Sequence, residues 1–308
     1  MRRRSFIRLA SVAIGLLVAL CAAALAASTV WSVTHADSNS ARLVSSYRWH
    51  EDAPWFGGMS GLELSEDGTR FVAITDRSHL VKGEIIRQDG DITGLRMTEQ
   101  HRLRNAGGAR MPEDVEDSEG LVVQGAQMFV SFESPHRVLE YNATEVRQLP
   151  SPRGFRRFSF NASFEALAQS PEGDLVLIAE SPPRNKNVSR VWRWSGAEGW
   201  QGLGPYPEAD GFLPVGADFG PDGALYVLER KFAKIGFRSR LRRFDLTAKG
   251  LGGGEILLNT PLARHDNLEG LSIWRTPSGN LRATMISDDN FFWVQRTELV
   301  EYDLPARP

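Results

Sequence analysis

The chain has 308 residues, 42% of them hydrophobic and 24% charged, with 38 acids against 36 bases. That balance is ordinary for a soluble globular protein, and a net charge of −2 argues against nucleic acid as a partner and against a charged disordered tail. One cysteine, Cys21, excludes a disulfide framework.

The N-terminus reads as a targeting segment. Arg2-Arg3-Arg4-Ser5-Phe6-Ile7-Arg8 resembles a twin-arginine export signal, and an apolar run from Leu9 to Ala27 follows, closing on Ala24-Leu25-Ala26. This order is expected of a cleavable secretory signal over residues 1–27, which places the protein in the periplasm or outside the cell. The alternative is an uncleaved inner-membrane anchor, since the run is long enough to span, and it would be the chain's only membrane contact. Cys21 lies within this segment behind Leu20, so cleavage leaves no thiol for catalysis. Residues 28–41 read as a linker, and 42–308 as one domain.

That domain repeats a single pattern. It begins as SGLELSEDGTRFVAITD at 60–76 and recurs as EGLVVQGAQMFVSFE (119–133), EALAQSPEGDLVLIAE (165–180), GADFGPDGALYVLE (216–229) and EGLSIWRTPSGNLRATMISD (269–288). Each copy is a short apolar strand, a turn and a second apolar strand, at steps of about fifty residues, which is the mark of a β-propeller blade. In chain order the expected strands are 42–49, then 60–65, 70–75, 80–87 and 92–103. The second unit gives 119–124, 127–133, 136–141 and 145–149; the third gives 165–170, 174–180, 189–194 and a weaker piece near Trp200. The fourth gives 216–219, 224–229, 239–245 and 255–259, and the last only 269–274, 281–287 and 297–303. A lone first strand and a last unit short of one strand complement each other, so the N-terminal strand is expected to close the ring. The fold class is therefore all-β, a single propeller of four-stranded blades. Five repeats are counted, and six blades are possible if 90–115 or 145–165 hides a degenerate unit.

Glu66-Asp67-Gly68, Pro171-Glu172-Gly173, Pro221-Asp222-Gly223 and Pro277-Ser278-Gly279 join the first two strands of four units. Gly there accepts a positive φ, so these glycines are structural. Trp192 and Trp194 alternate as packing residues of a strand should.

Strand direction puts the start of each first strand and the end of each second strand at one mouth of the ring. The openers are then Glu119, Glu165 and Glu269, with Ser60 and Gly216 in the other copies and Asp218 nearby. The closers are Asp76, Glu133, Glu180, Glu229 and Asp288, and Glu113, Asp114, Glu116 and Asp117 add charge before the second unit. Carboxylates a few ångströms apart repel by on the order of one to a few kcal/mol per pair, so such a rim needs protons, bases or a cation. Oxygen donors without thiols point to Ca²⁺, with Glu119, Glu165, Glu180, Glu229, Glu269 and Asp288 as the expected ligands. Bases follow the closers: Arg77 and His79, His136 and Arg137, Arg184 and Lys186, Arg230 and Lys231. Arg77, Arg137, Arg230 and Lys231 are candidate anion binders, or else they compensate the acids. The densest polar stretches are His265–Gly270 and Ser287–Phe291, which make His265, Glu269 and Asp288 the candidate catalytic groups and Asn267 and Asn290 candidate substrate contacts. No nucleophile elbow, H-E-x-x-H, P-loop or dinucleotide fingerprint is present.

At GGMSGLELSEDGTRFVAITDRS, DSEGLVV, NASFEALAQSPEGDLVLIAES and DNLEGLSIW…MISDDNF the chain resembles the bacterial phytase-like, esterase-like domain family, over about residues 57–305. The resemblance implies an exported propeller acting on ester or phosphoester bonds. The expectation is a metal-dependent hydrolase of small anionic or ester substrates, working as a monomer. Two alternatives stand beside it: a non-catalytic propeller binding a cation, sugar or protein partner, and a gluconolactonase-like lactonase.

Overall fold

The computed structural model describes residues 40–307, apart from 134, 153–154, 156–163 and 182–188. The expected export signal, nearly all of the linker, and Arg184 and Lys186 lie outside the described residues. Among the described residues no helix is long and apolar enough to cross a membrane.

Twenty strands form five four-stranded antiparallel sheets. The first blade is β2 to β5 (Met59–Leu64, Arg70–Thr75, His79–Gln88, Asp91–Arg102). The second is β6 to β9 (Ser118–Gln124, Gln127–Phe132, Arg137–Tyr141, Val146–Gln148). The third is β10 to β13 (Ala166–Gln169, Leu175–Ile178, Arg190–Ser195, Gly199–Pro205), and the fourth is β14 to β17 (Leu213–Phe219, Leu225–Phe232, Phe237–Thr247, Gly250–Asn259). The fifth holds β18 to β20 (Asn267–Arg275, Leu281–Asp288, Glu298–Leu304), with β1 (Arg42–Arg48) as its outer strand. β1 runs antiparallel to β20, with Arg42 opposite Asp303 and Arg48 opposite Glu298. The first strand therefore joins the ends of the ring and covers the edge that β20 would expose. No sixth sheet forms among the described residues.

Five hydrophobic clusters fill the five spaces between neighbouring blades. Met59, Leu62, Phe71 and Val81 of the first blade meet Ile286 and Leu299 of the fifth, and Ile74 and Leu80 meet Leu121, Val130 and Leu139 of the second. Trp192 packs with Val122 and Phe129, and Trp194 lies against the same cluster. Because each sheet is covered on both faces, the second strands read as unbroken apolar runs such as Leu175–Ile178, every residue of which is buried. The connecting turns behave as their sequences require: Gly68, Gly173, Gly223 and Gly279 all have positive φ. Asp67 organises the first of these turns, accepting from Ser65 Oγ at 2.6 Å and Thr69 Oγ1 at 2.7 Å. Those hydrogen bonds hold its carboxyl down at about 2.

Candidate functional site

The five innermost strands line a channel too narrow for a large ligand. At its centre remains a cavity of about 10 Å³, lined by Ser60, Leu121, Glu165, Gly216 and Glu269 among others, which is room for about one water. A ligand larger than a water therefore does not fit inside the channel at this point.

β-Bulges aim the side chains of that mouth. Pairing of the first strand with the second slips between Met59 and Gly61, Ser118 and Leu121, Pro214 and Gly216, and Leu268 and Gly270. In the third blade pairing begins only at Ala166. A bulge turns its extra residue away from the pleat, and the residues so placed are Ser60, Glu119, Val215 and Glu269, with Glu165 just ahead of β10. The residue after each is Gly in four blades because neighbouring strands nearly touch there. A Cβ on Gly216 would lie 2.2 Å from the Glu269 carbonyl oxygen, and one on Gly120 would lie 2.8 Å from that of Glu165.

The same register corrects the sequence alignment of the fourth repeat by one residue. Ile74 faces Gly61, Leu228 faces Gly216 and Ile286 faces Gly270, so the matching ends of the second strands are Asp76, Arg230 and Asp288. The fourth blade thus brings Arg230 rather than Glu229 to the mouth, while Val215, at the place of Ser60 and Glu269, is buried in the core between the fourth and fifth blades. Glu229, one residue earlier on a strand, points away from the ring. There it is fully buried, accepts from Tyr206 Oη at 2.8 Å and Arg242 at 3.3 Å, and pairs with Arg240. It is a packed structural ion pair rather than a ring ligand.

Arg230 sits where the first and fifth copies carry an aspartate, and it ties three blades together. It donates to Glu180 at 2.8 Å and to Asn267 Oδ1 at 2.9 Å, pairs with Glu269, and lies 3.6 Å from Glu165. Asn267 in turn donates to Glu269 at 2.8 Å and to Asp288 at 3.3 Å. Burial opposes the guanidinium charge, but Glu165, Glu269 and Glu180 outweigh it and hold Arg230 above its ordinary value.

The other acids of the mouth lie outside this network, with Arg77 acting on Asp76 and Arg137 on Asp117. Asp117, Glu119 and Glu133 each place a carboxylate oxygen within 4.8 Å of the others. Glu165 Oε2 and Asp76 Oδ1 are buried without a hydrogen-bond partner. Burial, then the charges of Glu165 and Glu269, push Glu119 well up, and burial also raises Glu165 and Asp117. Burial and the neighbouring Asp288 raise Asp76 to about 7. Burial and Glu269 raise Asp288 to about 8, while burial raises Glu269 to about 7 against the pull of Arg230. Carboxyls raised in this way would hold protons near neutral pH, or a cation in their place. Three oxygens this close, all from carboxylates, suit a hard divalent cation of the size of Ca²⁺.

Of the residues singled out in the sequence, the structure brings together Glu119, Glu165, Glu180, Glu269, Asp288, Asn267 and Arg230. His265 is not among them: it is buried toward β20, with Nε2 2.6 Å from Tyr302 Oη and Nδ1 3.6 Å from Glu298. Arg137 is buried over the Phe132 ring and donates to backbone carbonyls of Val115 and Pro135. Lys231 donates to the Asp210 carbonyl at 2.7 Å. Both are spent on local structure. Arg77 is exposed on the rim, its guanidinium 3.4 Å above the Phe291 ring. Asn290 is exposed, and its backbone N–H donates to Asp288 at 2.6 Å.

Asp76, Asp117 and Glu133 stood among the rim acids by sequence but outside the expected ligand set, and the structure sets them beside Glu119 and Asp288. Glu63 was missed altogether. It lies further down the channel, where burial and then Asp218 push its carboxyl well up; Asp218 itself is raised to about 7 by burial. Ser272 stands on the strand between them and accepts from Leu64 N at 3.0 Å. The signal was available: Glu63 is a charged residue inside the otherwise apolar Gly61–Leu64 run.

The chain was compared with known proteins. No curated protein sequence matches it. Solved structures similar to it include a gluconolactonase of Xanthomonas campestris, at 13% identity over 80% of this chain and 72% of that one with a TM-score of 0.45. A PQQ-bound aldose sugar dehydrogenase of Streptomyces coelicolor aligns at 10% identity over 87% and 99%, TM-score 0.46. The Bombyx mori β-fructofuranosidase aligns at 11% over 90% and 66%, TM-score 0.47. A Phytase-like family model, described as the esterase-like activity of phytase, matches residues 54–291, most of the propeller from the loop before β2 to the loop after β19. The chain belongs to the Phytase-like family.

Proposed function

We propose that the protein is an exported, cation-dependent hydrolase of small phosphate esters or carboxylate esters, with its site at the acidic mouth. The observation that supports this reading is the crowding of acids at that mouth: Arg230 is shared by Glu165, Glu180 and Glu269, Arg77 acts on Asp76 and Arg137 on Asp117, yet Asp76, Glu119, Glu165, Glu269 and Asp288 are all still pushed upward. Asp117, Glu119 and Glu133 would hold the cation, which would polarise the scissile phosphoryl or acyl group.

The other residues divide the remaining work. Arg230 fixes the carboxylates of Glu165, Glu180 and Glu269, so that half of the mouth is preorganised and already neutralised in part. Arg77, exposed over the Phe291 ring, would offer its N–H groups to an anionic group at the rim. Asp288 and Glu269 are raised to about 8 and about 7, so one can be protonated while the other is ionised at neutral pH. In the proposed reaction water adds to phosphorus or the acyl carbon and gives its proton to the ionised carboxylate. The bond to the leaving oxygen breaks, and that oxygen takes the proton of the other carboxyl.

The test is a calcium titration of the purified protein followed by melting temperature. Turnover of p-nitrophenyl phosphate, p-nitrophenyl acetate and a sugar lactone is assayed in parallel, with and without chelator. The expected result is a calcium-dependent rise in Tm and chelator-sensitive turnover of an ester. A Tm shift without turnover of any of the three would leave a binding propeller, and turnover of the lactone alone would make it a lactonase. No shift would remove the cation.

A further inference from the structure

Two loops on the mouth side carry large apolar side chains that stand exposed among the described residues. The β15–β16 loop presents Phe232 and Ile235, 63% and 74% exposed. The β19–β20 loop presents Phe292, Trp293 and Val294, at 52%, 87% and 54%. Between them runs the segment from β17 to β18. Ala263 N of that segment donates to the Phe237 carbonyl at 2.9 Å, and its Asp266 accepts from Gln295 and from Arg296 N, each at 2.9 Å. The loops are thus braced against one another into one rim.

Their charges are sorted by sign. Asp266 is buried and consumed by the bonds just described, and Asp289 accepts from Gly58 N at 3.0 Å and Phe291 N at 3.1 Å. The exposed charges on these loops are the bases Lys234 and Arg264, and Arg77 of the first blade lies over Phe291 of the β19–β20 loop. Protruding Trp, Phe and Ile tips with outward bases and inward acids are the makeup of a surface that sits in a bilayer interface. There aromatic and aliphatic groups enter the headgroup region, while Lys and Arg meet anionic headgroups.

We propose that this rim of the fourth and fifth blades docks on an anionic lipid bilayer surface, with Trp293, Phe292, Phe232 and Ile235 inserting and Lys234 and Arg264 pairing with headgroups. Docked so, the acidic mouth faces the bilayer. This contact is separate from any made by the N-terminal apolar segment.

The test uses the propeller alone, Asn39–Pro308, which forms one compact unit closed by its own first strand. Flotation with phosphatidylcholine vesicles, with and without phosphatidylglycerol, should carry the protein upward, more strongly with the anionic lipid and less so in high salt. Trp293→Ala should weaken binding by about tenfold on both vesicles. Lys234→Gln and Arg264→Gln should each weaken it by about fivefold, on anionic vesicles only. All three side chains are exposed, so Tm should be unchanged in each variant, which separates lost docking from lost folding. Absence of flotation on both vesicle types would overturn the proposal, as would a Trp293→Ala variant that floats like its parent. A concentration-dependent dimer in light scattering, abolished by Trp293→Ala, would assign the rim to a second copy of the chain instead.

Discussion

Two sets of buried carboxylates, gathered about the adjacent residues Glu229 and Arg230 of β15, part company completely. Glu229 is enclosed by Arg240, Arg242 and the Tyr206 hydroxyl, so its charge is matched and each oxygen has a donor. At the mouth, Arg230 alone serves Glu165, Glu180 and Glu269, while Asp117, Glu119 and Glu133 crowd together and Asp76 and Glu165 each keep a buried oxygen without a donor. A buried acid with a complete set of partners is part of the scaffold. A buried acid that lacks them awaits a proton or a cation. The bulge between Pro214 and Gly216 sets which residue of the Glu229–Arg230 pair faces which environment.

The largest expected effect lies on the scaffold side. Glu229→Gln leaves the buried guanidinium of Arg240 with only the exposed carboxylate of Asp210 and should cost about 3–5 kcal/mol by urea denaturation. Calcium should not restore it; restoration would mean that Glu229 belongs to the mouth after all. Arg230→Gln comes next, at about 2–3 kcal/mol, because its side chain retains some solvent. This loss should shrink at pH 5 or with added calcium, since protons or a cation can take over the work of the guanidinium. A loss indifferent to both would sink the comparison.

The pH dependence of stability is third. Asp76 and Glu269 sit at about 7 and Asp288 at about 8 in the folded chain, above their ordinary values of 3.8, 4.5 and 3.8. As pH rises, the unfolded chain releases these protons first, so the chelated protein should lose stability from about pH 4 to about pH 8 and then level off. The cation competes with the same protons, so the calcium-induced rise in Tm should be small at pH 5 and large at pH 8. A calcium shift equal at both values would place the cation elsewhere. Smallest is Asp288→Asn, which removes one charge that burial opposes. It should stabilise the chelated protein by about 1–3 kcal/mol at pH 8 and leave it nearly unchanged at pH 4. Destabilisation at pH 8 would mean that Asp288 is held by partners, as Glu229 is.

Much of the candidate site was legible before any coordinates. Glu119, Glu165, Glu180, Glu269 and Asp288 follow from strand direction alone, since the start of one strand and the end of its neighbour must share a mouth. Asn267 and Arg230 were also in the expected set, and Arg230, expected either to bind an anion or to compensate the acids, sits among Glu165, Glu180 and Glu269. His265 was chosen for its density of polar neighbours in sequence, yet that density is satisfied by Tyr302 and Glu298 of β20, a strand more than thirty residues away. Arg137 illustrates the same limit: a base next to an acid in sequence can turn back to the carbonyls of Val115 and Pro135.

The sequence by itself determined the all-β architecture, the five repeats, the turn glycines and the closure of the ring by β1. Each of these rests on local rules, namely strand alternation, φ preference and the count of strands in the last repeat. Only the tertiary structure decided which carboxylates are short of partners, that the fourth blade supplies a base to the mouth, and that the exposed Phe292-Trp293-Val294 tip stands beside Phe232 and Ile235. The reason is register. A one-residue bulge leaves the apolar pattern of a strand intact while exchanging the face on which its end residue lies, and that exchange is fixed by pairing between strands rather than by either strand alone.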